Sequence, residues 1–205
     1  MGVRRELPSH AMEMRPDKAG IHAYLIAEGD LKASKPKRNE SYRRIVFEFW
    51  NSSPILLTDF VEHVKRVYEY EPRIDRKRGR VEIRRAEVVR DLVKYGPYGS
   101  RLWTIPDGIL NAEGKTRREW ARCYGDSEGH VSTSKNEIVL KPVNLSGLKK
   151  VRQLLQSLGI PSRINGPYTG AYKLAVSTKP NLRKYRDVVS FINPERQSRL
   201  DNLLQ

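Results

Sequence analysis

The chain has 205 residues, 38% of them apolar, which is enough for one generous core or two small ones. Lys and Arg number 39 against 24 Asp and Glu, and the formal net charge of +15 points to a polyanionic partner, nucleic acid foremost. The single cysteine, Cys123, excludes an internal disulfide and a zinc site of the usual paired-cysteine kind; no apolar run approaches the ~20 residues that cross a bilayer, and the N-terminus MGVRRELPSH lacks a secretory signal's apolar segment, so an intracellular, cytoplasmic protein without a membrane partner is expected.

In chain order, a helix is expected to end at Gly29, followed by strands over 30–34 and 42–50 separated by the polar stretch KPKRNE. In the second strand Ile45, Phe47 and Phe49 alternate with Arg44, Val46 and Glu48, so one face should look inward. Ser53-Pro54 opens a helix over 55–68, with Leu56, Phe60, Val64 and Val67 at near-helical spacing. Segments 73–76 and 80–85 bracket Lys77-Arg78-Gly79 and read as a hairpin with a basic tip, before a helix over 87–94 stopped by Gly96-Pro97. Pro106, Asp107-Gly108 and Gly114 mark the stretch around 100–117 as a connection. The order then repeats. A helix ends at Gly129, a polar strand covers 130–134, Lys135-Asn136 turns the chain, and an apolar strand covers 137–141. Asn144 caps a helix carrying Leu148, Val151, Leu154, Leu155 and Leu158, closed by Gly159. A hairpin of 160–165 and 171–177 is expected to turn at Gly166-Pro167, and helices over 180–190 and 194–204 finish the chain.

Residues 21–29 read IHAYLIAEG and residues 121–129 read ARCYGDSEG, so Tyr24, Glu28 and Gly29 fall on Tyr124, Glu128 and Gly129. This is an internal repeat. Ala23 and Ala27, like Cys123 and Ser127, lie one turn apart, and such small side chains let two helix backbones approach closely. Glu28 and Glu128 fall in the last turn of their helices, where a carboxylate opposes the macrodipole at a cost of about 0.3–1 kcal/mol. A bound cation would offset that cost.

The endings AYLIAEG and WARCYGDSEG, each followed by the same order of elements, resemble the signature of LAGLIDADG homing endonucleases over nearly the whole chain. The tail SFINPERQSRLDNLL is similar to the last helix of many members, and the two-repeat, Arg-rich chain resembles the single-chain intron-encoded enzymes of archaea. The resemblance implies an α+β fold of tandem pseudo-symmetric αββαββα repeats, residues 1–99 and 117–205 joined by a linker at 100–116, whose two antiparallel sheets form a DNA-binding saddle. The motif helices would meet through Ala23, Ala27, Cys123 and Ser127, and the protein would act as a monomer. It implies a site-specific endonuclease cutting double-stranded DNA at a long asymmetric target, with Glu28 and Glu128 as the catalytic, metal-binding acids and the carbonyls of Ala27 and Ser127 as added ligands.

Hydrolysis of a phosphodiester needs an activated water and neutralised phosphate charge, which divalent ions on carboxylates supply. Oxygen-only ligands suit Mg²⁺, with Mn²⁺ as a substitute. Asp126 points elsewhere on its helix and is read as structural. His22, His63 and His130 show no metal-ligand spacing and, with His10, read as polar surface residues; of these, His130 begins a DNA-facing strand. The family's usual Lys or Gln at the end of the second strand is replaced by Trp50 and Val143, so the basic group supporting catalysis must come from elsewhere, with Lys32, Lys141 and Arg196 as candidates. Gly125 stands where the family has a bulky apolar residue, which bears on packing.

For DNA contact, the ribbons present Lys32, Lys35, Lys37, Arg38, Arg44, Arg76, Arg78, Arg80 and Arg84 in the first half. The second half offers His130, Ser132, Ser134, Lys135, Lys141, Arg163, Tyr168 and Lys173, a more polar set that implies an asymmetric target. The competing reading keeps the scaffold without catalysis, as a maturase acting on host intron RNA or a DNA-binding regulator. A basic ribosome-associated protein is the bland alternative.

Overall fold

The computed structural model describes residues 6–33 and 45–205. Helix α1, Pro16–Glu28, begins with proline in its first turn and passes directly into strand β1, Gly29–Ala33, with β2, Ile45–Trp50, returning antiparallel beside it. Helix α2, Pro54–Tyr68, packs on α1, and the short strands β3, Arg73–Asp75, and β4, Arg80–Ile83, precede α3, Ala86–Val93. After the single turn of α4, Asp107–Leu110, the pattern recurs as α5, Gly114–Glu128, β5, His130–Ser132, β6, Glu137–Leu140, α6, Leu145–Ser157, β7, Arg163–Tyr168, β8, Ala171–Ser177, and α7, Lys179–Val188. Helix α8, Pro194–Leu204, completes the chain. The two antiparallel sheets have the same order, β1-β2-β4-β3 and β5-β6-β8-β7. This is the expected α+β fold of two αββαββα units. No helix among the described residues is long and apolar enough to cross a membrane.

The seam between the units is α1 against α5. Every residue of α1 from Lys18 to Ile26 is buried, as are Trp120, Ala121 and residues 123–127 of α5. Ala23 and Cys123 are fully buried, and the closest approach uses one small residue more: a Cβ on Gly20 would stand 3.0 Å from Cys123 Sγ. His22 is enclosed at the same seam, with its Nδ1 accepting from Trp120 Nε1 at 3.1 Å and its Nε2 facing Tyr95 O at 3.2 Å. Burial lowers its pKa to about 4 despite the Tyr95 hydrogen bond, so it is neutral. The surface placement expected of His22 and His63 is therefore wrong; both are buried among long-range partners that lie far off in sequence.

Two other expectations are corrected, at Ile45 and at the second-half hairpin, and two features go further than the sequence reading, at the motif glycines and at 100–116. Phe47 and Phe49 point inward, but Ile45 is 50% exposed: among the described residues β4 pairs with β2 only from Phe47 onward, so Ile45 has exposed Ala33 as its cross-strand neighbour and no β4 partner. The second-half hairpin turns at Thr169-Gly170, both at positive φ, as a two-residue loop closing the Tyr168–Ala171 pair demands. Gly166-Pro167 lies inside β7, where the register shifts between Asn165 and Tyr168. Gly29 and Gly129 follow the motif helices in extended backbone, φ −89° and −79°; they are required because a Cβ would stand 2.2 Å from Leu25 O and 2.3 Å from Gly125 O. The stretch around 100–116 is more than a connection, since Trp103, Ile105, Ile109 and Leu110 are core residues and α5 starts within it at Gly114.

Gly125 also proves to be a packing device. The Tyr185 hydroxyl of α7 occupies the space beside it, 2.3 Å from where a Cβ would be, and the Tyr185 ring leans on Phe191 at 5.3 Å. The bulk missing from the motif helix is supplied from the next layer.

Candidate active site

Both motif helices end at the same place, so Glu28 and Glu128 lie at adjoining helix-to-strand joints, each partly buried. Burial is the main reason the Glu28 pKa is pushed up to about 7; the Asn51 hydrogen bond lowers it, the Glu128 charge raises it, and Arg196 offsets part of the rise. Burial likewise raises Glu128, again against the pull of Arg196. Glu28 is thus close enough to feel the Glu128 charge, and both carboxyls hold their protons more tightly than a free glutamate.

Three further groups complete the site. Asn51, just after β2, donates from Nδ2 to Glu28 Oε2 at 2.5 Å while its Oδ1 accepts from Ser53 N at 2.8 Å, so the amide is fixed at both ends. Arg196 comes from the first turn of α8, and its Nη2 is 3.5 Å from Ser127 O. The aim of Arg196 traces back to Asp126, which is fully buried and accepts from Ile192 N at 3.0 Å and Asn193 N at 3.1 Å. Asn193 in turn caps α8 by accepting from Glu195 N and Arg196 N. Asp126 is structural, as expected: the motif helix uses it to seat α8, and α8 delivers Arg196 to the acid pair.

The donor set suits a hard, hydrated divalent cation: two carboxylates, with the Ser127 hydroxyl oxygen buried and without a hydrogen-bond partner among the described residues; Arg196 Nη1, likewise unpartnered, is a donor for a water or phosphate oxygen and not a ligand. Such orphaned polar atoms beside two reluctant carboxylates fit a site completed by an ion with its waters. Of the three basic groups considered for a supporting role, only Arg196 reaches the pair. Lys32 is held by Glu48 at 2.7 Å and Asp30 at 3.2 Å and lies over the Trp50 ring, and Lys141 lines a groove on the second sheet.

The outward face of the first sheet is less freely basic than composition suggests. Asp30, Glu48 and Glu82 stand in one cross-strand row, and they absorb Lys32, Arg80 and Arg84: Arg80 reaches Glu48 at 2.9 Å and Glu82 at 2.8 Å, and Arg84 pairs with Glu82. By contrast Arg76, Lys77 and Arg78 are exposed at the β3–β4 tip, which folds back over the site: Asn51 N donates to Gly79 O at 2.9 Å, and Glu28, Asn51 and this tip line one depression. Gly79, at φ +63°, permits the approach, since a Cβ there would stand 2.5 Å from Asn51 O. On the second sheet His130, Ser132, Lys135, Lys141, Tyr168 and Lys173 line a groove of about 530 Å³, with Lys173 bonded to Glu137 at 2.5 Å. Ser134 sits exposed in the β5–β6 turn and Arg163 reaches Ser177 Oγ at 3.4 Å. Lys35, Lys37, Arg38 and Arg44 lie outside the described residues.

Sequence reasoning missed Asn51 and Lys77 as neighbours of Glu28. The Asn after the strand end was visible, but its amide reaches Glu28 only through the fold of β1 onto β2, and the tip's place depends on the β2–β4 register. The equivalent Asn144 does something different, capping α6 through Gly147 N at 3.0 Å and donating to Trp103 O at 2.6 Å.

The architecture is the two-repeat LAGLIDADG fold, with the acid pair at its seam. Residues 115–190 match the LAGLIDADG-like domain family. In solved structures the chain is similar to the homing endonuclease I-DmoI in complex with DNA and Mn, at TM-score 0.66 and 13% identity over 87% of this chain and 98% of that one. It is similar to the homing endonuclease I-WcaI bound to its DNA recognition sequence, at TM-score 0.57 and 15% identity over 98% and 94%, and to the N-terminal LAGLIDADG domain of WhiA, at TM-score 0.54 and 13% identity over 94% and 89%. At such identities the likeness is one of fold. No curated protein sequence matches the chain.

Proposed function

We propose that the chain is a site-specific double-strand DNA endonuclease of the homing type, dependent on Mg²⁺ or Mn²⁺, acting as a monomer whose two repeats, 1–99 and 117–205, each contribute one metal-holding acid. The observation that carries this reading is the meeting of Glu28 and Glu128 at one seam, with Arg196 beside them and Asn51 bonded to Glu28. Ions held there supply charge neutralisation at the phosphate and activation of water. The remaining work belongs to the chain. Glu28 and Glu128 hold the ions, with the carbonyls of Ala27 and Ser127 nearby; Asn51 fixes the Glu28 carboxylate; Arg196, through its unpartnered Nη1, offers a donor to a phosphate oxygen. The exposed tip Arg76-Lys77-Arg78 grips the DNA backbone beside the cut, and the second-sheet groove reads a differently built half-site. The similarity to I-DmoI, solved with DNA and Mn and with its target DNA and Mg, supports the substrate and the ions.

One feature favours a second reading, a non-catalytic binder of DNA or of host intron RNA. Trp50 is pinned by Glu48, Lys32 and Arg80, so nothing at that strand end can position water as a Lys or Gln would. Incubation with a plasmid library of candidate insertion sites separates the two. The nuclease reading expects double-strand cuts at one site with Mg²⁺ and binding without cutting with Ca²⁺ or after Glu28→Gln. Specific binding with no cutting in any divalent ion would establish the binder.

A further inference from the structure

A second constellation lies one to three helical turns back from Glu128 along α5 and makes no use of the acid pair. Asp59 and His63 are four residues apart on α2, and Glu119 and Cys123 are four apart on α5, so each pair shares a helix face and the two faces meet across the seam. One donor atom from each of the four lies within 4.8 Å of every other. His63 Nε2 is 3.2 Å from Asp59, 3.1 Å from Glu119 and 3.6 Å from Cys123 Sγ. Donors bound tetrahedrally to zinc at about 2.0–2.3 Å stand about 3.3–3.7 Å from one another, close to the three distances from His63 Nε2, while the set as a whole spans up to 4.8 Å and would draw together on an ion.

The surroundings are those of an oriented ligand set. Asp17 Oδ1 is 2.7 Å from His63 Nδ1 and is itself held by Arg66 at 2.7 Å, an arrangement that places the proton on Nδ1 and turns Nε2 inward. Tyr24 donates to Asp59 at 2.7 Å, and Gly20 leaves room for the cluster, with His63 Nε2 and Cys123 Sγ each 3.0 Å from where its Cβ would be. At the centre stands Arg122 Nη2, bonded to Glu119, 2.9 Å from Asp59, 3.2 Å from His63 Nε2 and 3.4 Å from Cys123 Sγ. With the His63 proton fixed on Nδ1 by Asp17, Nε2 is left as an acceptor, and the lone pair that now accepts from Arg122 is the one a metal ion needs. Arg122 Nη1 is buried and makes no hydrogen bond among the described residues, its nearest ion-pair partner being Asp126 Oδ2 at 3.6 Å.

We propose that Asp59, His63, Glu119 and Cys123 bind a zinc-class divalent ion that staples α2 of the first repeat to α5 of the second. The ion takes the place of Arg122 Nη2 at the His63 Nε2 lone pair, and the proton of Cys123 Sγ goes to solvent. A thiolate and an imidazole with two carboxylates select zinc over magnesium. The site is independent of the nuclease reading.

The test uses the whole chain, stripped with chelator and titrated with Co²⁺ as the spectroscopic probe for zinc. One ion per chain is expected, with four-coordinate ligand-field bands and a thiolate-to-cobalt charge-transfer band, both erased by excess Zn²⁺. Zinc at about a hundredfold over its Kd should raise Tm by about 5–10 °C. Cys123→Ser should remove the charge-transfer band, and Arg122→Gln, lacking the competing guanidinium, should bind cobalt more tightly. Because Cys123 and His63 are buried, Asp17→Asn provides a second, partly exposed variant, expected to weaken cobalt affinity about 10- to 100-fold with the fold intact. The Glu28→Gln/Glu128→Gln double variant should keep the full spectrum. Absence of cobalt binding by folded wild-type protein, a spectrum without the sulfur band, or loss of binding in that double variant would each overturn the proposal.

Discussion

The acid pair should make the metal-free protein weaker as it ionises, and removing one charge should strengthen it. Glu28 has a folded-state pKa of about 7 against an ordinary 4.5, so its stabilising contribution is full below pH 4.5 and is lost as pH rises through about 7. That gap corresponds to about 3 kcal/mol at most. The carboxyl is only partly buried, and solvent screening brings the expected figure to about 1–2 kcal/mol. Glu28→Gln keeps the shape and leaves an oxygen to accept from Asn51, so at pH 8 with chelator it should melt about 2–8 °C above wild type. At pH 4.5 the two should nearly coincide. Mg²⁺ at pH 8 should reverse the order, since an ion at a hundredfold over its Kd contributes about 2.7 kcal/mol to wild type and little to the variant. Melting curves across this pH range, with chelator and with Mg²⁺, measure both effects. A variant less stable than wild type at pH 8, or a difference indifferent to pH, would refute the claim that burial, with the Glu128 charge, disfavours an ionised Glu28.

Gly125→Ala should destabilise by about 1–3 kcal/mol in denaturant melts through the clash with the Tyr185 hydroxyl, and Tyr185→Phe in the same chain should restore much of the loss. Asp126→Asn should cost about 1–3 kcal/mol, because an amide turned toward two backbone N–H groups satisfies only one, and proteolysis should show α8 loosened. Replacing Arg76, Lys77 and Arg78 with Ala should lower DNA affinity and reduce the slope of log K against log salt by about 2–3, about one for each lost phosphate contact, with Arg78 discounted for its pairing to Asp75 at 3.8 Å. Arg80→Ala should change that slope less and stability more, since Arg80 is already spent on Glu48 and Glu82.

What could be read from the sequence was whatever recurs locally. The offset of Glu28 and Glu128, the helical spacing of Leu56 through Val67, and the Asn144 cap are signals within a few residues, and each appears in the structure as expected. Failures concern partners supplied by distant segments. Gly166-Pro167 has turn chemistry, yet the chain turns where Thr169 is held at φ +48° by strand register, a conformation nothing local announces in a β-branched residue. The cationic face of the first sheet is discounted by Glu48 and Glu82, whose alignment follows from the β2–β4 pairing. His63 was read as having no metal-ligand spacing, because its nearness to Glu119 and Cys123 depends on α2 and α5 packing around α1, some sixty residues apart.

The central claim is that Glu28 and Glu128 grip the same ion site. Mn²⁺ binding to wild type, Glu28→Gln and Glu128→Gln, each in a Cys123→Ser background that removes the thiolate from the α2–α5 cluster and followed by electron paramagnetic resonance, tests it directly. Either substitution alone should abolish the same high-affinity manganese signal. Retention of that signal in both single variants would contradict the account.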